Sequence, residues 1–129
     1  HTDATLGYPV VRLGVSPAVT SPFLRQSIGA GKTRHRLLDP ELFTGAIALR
    51  EGLAHFCEDT AEAARERSLA IARDLASKPR HSVHVTKQWI NEIDGSRDRT
   101  TISAALEAST ALAGGAEEQE RLAALWRKS

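Results

Sequence analysis

The sequence holds one cysteine, Cys57, in 129 residues. A single thiol excludes an internal disulfide and gives no ligand spacing for zinc, in keeping with a reducing cytosol. No apolar run reaches the roughly 18 residues that span a bilayer, and the first residues lack the basic-then-apolar layout of a secretory signal. Charge of one sign is equally scarce. Seventeen Lys and Arg against sixteen Asp and Glu leave a net charge of +1, with a pI near 8.2. The whole-chain field therefore favours neither a nucleic-acid backbone nor an anionic membrane, and any phosphate contact has to be local. A nucleophile-elbow Gly-x-Ser-x-Gly is absent, as are internal repeats and low-complexity segments. None of Asp3, Asp39, Glu41, Glu51 or Glu58 sits in the kind of apolar turn that general acid/base chemistry uses.

Hydrophobic residues at 41% and charged residues at 26% describe a globular chain of one-domain size. Its first residue is His1, not methionine, and His1, Thr2 and Asp3 directly before a strand-like segment would suit a cut inside a folded domain. Val10 to Leu13 form a short β-rich run bracketed by Gly7, Pro9, Gly14 and Pro17, which predicts a strand between turns. Ser16, Pro17 and Ala18 offer an N-cap followed by proline, a common helix start. Phe23, Leu24 and Ile28 share the following face until Gly29. Gly31, Lys32 and Thr33 fall short of a phosphate-binding P-loop, because Gln26 stands where the first glycine is required and the preceding segment is helical. Lys32, Arg34, His35 and Arg36 then read as a solvated basic helix face.

Asp39-Pro40 ends that helix, since the residue before proline is pushed out of the α region. Thr44 caps a short helix from Gly45 to Glu51 that Gly52 closes, and Leu53 to Cys57 read as a second short strand. From Asp59 onward the chain is helical. Ala61, Ala64, Ser68, Ile71, Ala72 and Leu75 line one face of the first of these helices. Glu62 with Arg65 and Asp74 with Lys78 stand at supporting intervals on it. Pro79 opens the next helix, with Val83, Thr86, Ile90 and Ile93 on one face and Gly95 at its end. His81 and His84 lack a third ligand at a recognisable spacing, so no metal is expected there. Asp98 or Thr100 caps a helix striped by Ile102, Ala105, Leu106, Ser109, Leu112 and Ala113 that stops at Gly114-Gly115. A last amphipathic helix carries Leu122, Leu125 and Trp126 on one side, with Glu117, Glu118, Glu120, Arg121, Arg127 and Lys128 mostly on the other.

The spacing Pro9, Gly14, Pro17 resembles the Pro-Glu-x-x-x-Gly-x-x-Pro signature of the enoyl-CoA hydratase/isomerase (crotonase) family. Phe23 to Gly29, the helix closed by Gly52 and Leu53, Lys87 in its helix, and Glu120 to Leu125 follow in the order of that family's C-terminal half. The resemblance covers essentially the whole chain, and the Ser16 to Pro22 run is most similar to the methylglutaconyl-CoA hydratase branch. It implies a mainly α chain with two short β-strands, the C-terminal portion of a crotonase-like (ClpP/crotonase) α/β fold. Residues 1–57 would be the end of the core, and residues 58–129 a C-terminal helical oligomerisation region.

Family members polarise a CoA-thioester carbonyl with two backbone N–H groups, and those groups lie in the half that the resemblance does not cover. The family's catalytic glutamate falls at Val10, and the carboxylate of dienoyl isomerases falls at Ala18; neither side chain carries a proton. The family's Thr-Gly pair is replaced by Asp39-Pro40. No catalytic residue is therefore assigned. Leu125 and Lys128 stand where family members place an aromatic and a lysine that reach coenzyme A. A lysine there would meet a phosphate as a point charge, and a solvated terminal lysine is the plainer reading. Coenzyme A enters as part of the substrate, with no separate cofactor. Expected partners are an acyl-CoA thioester of fatty acid metabolism and further copies in trimer-type contacts, with no nucleic acid and no membrane, in the cytoplasm. The chain alone is expected to be inactive. The competing expectation is a non-catalytic helical module for oligomerisation or partner binding.

Overall fold

The computed structural model describes residues 1–127. In order, these form β1 (Thr5–Leu6), a 3-10 helix (Pro9–Leu13), α1 (Ser21–Leu38), β2 (Phe43–Thr44), α2 (Gly45–Glu51), α3 (Ala61–Ser77), α4 (Arg80–Ile93), α5 (Arg99–Thr110) and α6 (Ala116–Trp126). The fold is thus mainly α with two short strands, which pair antiparallel with Thr5 opposite Thr44 and Leu6 opposite Phe43. The strands are not the two expected. Val10–Leu13 lies in the 3-10 helix, because Pro9 opens it with its fixed φ and Gly14, at φ 74°, closes it. Leu53–Cys57 is not a strand either: Leu53 and Ala54 both donate their backbone N–H to the Ala48 carbonyl (2.9 and 3.1 Å), closing α2 in place of joining a sheet. A β-rich run becomes a strand only when a neighbour pairs with it.

The caps fall largely where the residue types place them. Thr44 Oγ1 accepts from the Ile47 N–H at 3.4 Å, and Gly52 ends α2 at φ 88°. Asp39, extended at φ −91°, ends α1. α3 starts at Ala61, just beyond the expected Asp59, and Thr60 caps it through Ala63 N–H at 3.1 Å. Asp98 accepts from the Thr100 and Thr101 N–H groups and from the Thr101 hydroxyl (3.0, 3.3 and 2.6 Å). The Thr101 hydroxyl, then the Thr100 N–H, hold its carboxyl below the usual aspartate range. α1 starts at Ser21 and not at Pro17, whose carbonyl instead accepts from Thr20 N–H in a turn (3.1 Å).

Gly29 does not end α1 but breaks it. Its φ of 78° and ψ of 167° are open to glycine and strained for any other residue, so two helical arms meet at this residue. The buried core is small: Leu24 and Ile28 of the first arm of α1, Phe43 of β2 and Ala48 of α2. Beside it Arg36 makes two hydrogen bonds to Glu51, at 2.9 and 2.5 Å, with its guanidinium 4.2 Å over the Phe43 ring. Arg36 is therefore not part of a solvated face, and Lys32 donates to the Glu51 carbonyl at 3.1 Å.

α3 to α6 hold no buried residue. α5 leans on α1, where Gln26 Nε2 also donates to the Asp94 carbonyl at 2.5 Å, and α6 leans on the 3-10 helix. α3 is tied down by Arg67, which pairs with Glu58 at 2.8 Å under Phe56. On α3 the Asp74–Lys78 pair forms at 2.9 Å. The chain exposes 9618 Å², whereas a compact monomer of this mass exposes about 6,700 Å².

Candidate functional site

The loop from Gly14 to Ala18 forms one wall of an open groove of about 950 Å³. Its shape follows from local bonds. Gly14 N–H donates to the Val11 carbonyl and Val15 N–H to the Val10 carbonyl, both at 3.3 Å, so the chain reverses directly after the 3-10 helix. Ser21 Oγ then donates to the Ala18 carbonyl at 2.8 Å and fixes the approach to α1. On the far side Ser109 of α5 donates to the Ser16 carbonyl at 3.3 Å. A Cβ built on Gly14 would stand 3.0 Å from the Glu118 nitrogen and 3.2 Å from Glu117 Cγ, so glycine is what lets α6 start against the loop.

The second wall is α1. Ser21, Pro22 and Arg25 of its first arm and Ala30, Thr33, Arg34, Leu37 and Leu38 of its second line the groove. Thr33 is 7% exposed, and its hydroxyl has no hydrogen-bond partner. Val11 of the 3-10 helix, Thr101 of α5, Leu112 and, from α6, Glu117 complete the lining.

Of the positions singled out by sequence, Ala18 lines this groove. Val10 lies half-buried in the 3-10 helix, next to the lining residue Val11 but not itself in the lining. Leu125 is exposed on α6 and outside the groove, and Lys128 lies outside the described residues. His81 and His84 are exposed on α4, and no group of three or more His, Cys, Asp or Glu side chains able to hold a metal gathers among the described residues. Gly31 to Thr33 are helical and form no phosphate loop. Sequence reasoning did not single out Arg25, and it read Thr33 only in a near-miss phosphate loop, Arg34 in a basic run and Glu117 as a charge of the last helix. Positions 30, 33, 34, 37 and 38 follow a helical stripe within the second arm, but the break at Gly29 means no local pattern joins it to 21, 22 and 25. Glu117 reads only as a solvent-facing charge, since nothing local records that α6 starts against Gly14.

This order of elements, with a proline-bounded 3-10 loop feeding a broken helix and a tail of exposed helices, is that of a crotonase-fold protein over its C-terminal half. The chain is similar to a Streptomyces avermitilis protein assigned as an enoyl-CoA hydratase, with 26% identity and a TM-score of 0.88 over 98% of this chain and 45% of that one. It is similar to an enoyl-CoA hydratase/isomerase from Pseudoalteromonas atlantica T6c, with 25% identity and a TM-score of 0.82 over 97% of this chain and 50% of that one. It is similar also to OdaA of Pseudomonas aeruginosa, with 26% identity and a TM-score of 0.78 over 96% and 51%. The chain thus spans about half the length of the solved structures it matches. No protein-family model matches it, and no curated protein does.

Proposed function

We propose that this chain is the C-terminal part of an acyl-CoA thioester enzyme of the hydratase/isomerase type and is inactive by itself. The observation that carries the reading is the structural match over 98% of the chain to an assigned enoyl-CoA hydratase. In this reading a further segment supplies the backbone N–H groups that hold the enolate oxygen, while this chain supplies the loop wall at Gly14 to Ala18. Val10 at the acid position removes a positioned general acid/base, which contributes a factor of about 10² to 10⁴. Leu125 and Lys128 are the proposed contacts to coenzyme A, which is part of the substrate, with no separate cofactor. Residues 1–57 serve as the end of the core and 58–129 as the assembling helices, in the cytoplasm. No helix among the described residues is long and apolar enough to cross a membrane.

The test is hydration of crotonyl-CoA by the chain alone, beside calorimetric titration with the unreactive butyryl-CoA. No turnover with measurable binding, weakened in Lys128→Gln, is the expected result. Measurable hydration would overturn the proposed inactivity, and absence of butyryl-CoA binding would overturn the thioester reading.

A second reading, a non-catalytic module for assembly with further copies or another partner, is favoured by the exposed faces of α4 to α6. Trp89 is 59% exposed, Ile93 64%, Leu106 55% and Trp126 77%. Sedimentation separates the two readings: assembly without any acyl-CoA binding supports the module and excludes the enzyme part.

A further inference from the structure

We infer that Glu117 of α6 is the acid/base group of the groove beside the Gly14–Ala18 loop, the part that neither Val10 nor Ala18 can play. The inference rests on the acyl-CoA thioester reading above and assigns a residue within it. Among the described residues that line the groove, Glu117, Arg25 and Arg34 carry the charged side chains. A guanidinium keeps its proton at any working pH. The hydroxyls of Ser16, Ser21, Thr33 and Thr101 give theirs up only with the help of a base. Glu117 is therefore the lining side chain able both to take and to return a proton near neutral pH.

Its placement is built by the turn before α6. Gly114 N–H donates to the Glu118 carboxylate, Gln119 Nε2 donates to the Gly114 carbonyl at 2.9 Å, and Gly115 N–H donates to the Leu112 carbonyl at 3.1 Å. The side chains of Glu118 and Gln119 are thus held by the start of their own helix. Glu117 takes part in no ion pair or hydrogen bond among the described residues. Its Cγ stands 3.2 Å from where a Cβ on Gly14 would lie, which sets the side chain against the loop wall. Val11, Val15, Pro17, Ala18 and Leu112 surround that end of the groove with apolar lining.

A proton shift along an acyl chain needs a single such group. With a 3-enoyl thioester, the Glu117 carboxylate takes a proton from C2, and the C2–H electron pair moves into an enolate whose oxygen the N–H groups of the further segment hold. The carboxylic acid so formed returns the proton to C4. The C3=C4 pair takes that proton, C2=C3 becomes the double bond, the thioester carbonyl re-forms, and the carboxylate is regenerated without water or any other reactant.

Alkylation by bromoacetyl-CoA tests the assignment on the full chain carrying Cys57→Ser, so that the lone thiol does not compete. A carboxylate that faces the carbon next to the thioester carbonyl displaces bromide and becomes an ester, which peptide mass spectrometry locates. The expected result is an ester on Glu117 in preference to Glu118 and Glu120, suppressed by excess butyryl-CoA. Glu117→Gln should lose it while circular dichroism and butyryl-CoA binding stay unchanged. An unlabelled Glu117 in a chain that binds butyryl-CoA would overturn the inference and leave the thioester reading standing, and so would labelling that butyryl-CoA does not suppress. Absence of butyryl-CoA binding overturns both. With the further segment present, Glu117→Gln should lower kcat for 3-enoyl-CoA isomerisation by a factor of about 10² or more at unchanged KM, and Glu117→Asp should recover part of it. An unchanged kcat in Glu117→Gln would overturn the acid/base role.

Discussion

Thr33 is 7% exposed, and its hydroxyl has no hydrogen-bond partner among the described residues. An unsatisfied buried polar group costs about 1–3 kcal/mol. Thr33→Val, which keeps the shape and drops the hydroxyl, should therefore raise stability by about 1 kcal/mol in urea unfolding. A loss of stability would mean that the hydroxyl has a partner in solution. Arg36 and Glu51 present the opposite case. Their side chains are 11% and 17% exposed, and the hydrogen bonds from Arg36, together with its charge, hold the Glu51 carboxyl below its ordinary value of 4.5. Since the folded form lowers this pKa, the pair's stabilisation is present above 4.5 and is lost as pH falls through the folded value. Glu51→Gln should thus be destabilising near about pH 6, and the gap to the unsubstituted chain should narrow toward about pH 3. A gap that stays constant with pH would show that the carboxylate charge contributes nothing. At this scale the cap Thr44 was readable directly and Asp98 was one of two candidates with Thr100, because a cap needs only its own side chain and the next three residues. The Arg36–Glu51 pair was not, as its members lie on different helices.

The 3-10 helix Pro9–Leu13 shows what an element takes from its setting. Val10, Val11 and Leu13 have strand-forming side chains, but Pro9 and Gly14 close a turn around them and no strand lies alongside. Gly14 combines a left-handed φ of 74° with Glu117 and Glu118 packed against its α carbon. Gly14→Ala adds about 1–2 kcal/mol of backbone strain before any clash is counted. The expected result is a lower unfolding midpoint and, since α6 must shift, weaker binding of any groove ligand. An unchanged midpoint would show that α6 does not rest on this loop in solution. Helix α1 was legible as two pieces around Gly29, which agrees with its two arms. What local sequence did not convey is that the pieces share one lining face.

For the whole molecule the governing quantity is surface. The 9618 Å² exposed exceeds the roughly 6,700 Å² of a compact monomer of this mass by about 2,900 Å², and α3 to α6 hold no buried residue. Sedimentation velocity should show concentration-dependent association, and Trp89→Ser together with Ile93→Ser should reduce it. A single monomeric species at every concentration would overturn the assembly expectation. The sequence alone determined the helices, most of their ends and the resemblance carried by Pro9, Gly14 and Pro17, because period, caps and turn residues act within a few positions of one another. The tertiary structure alone decided which strands pair, that Arg36 is tied to Glu51, and that Arg25, Thr33, Arg34 and Glu117 meet at one groove. Those outcomes depend on contacts between residues far apart in the chain, and no local pattern encodes them.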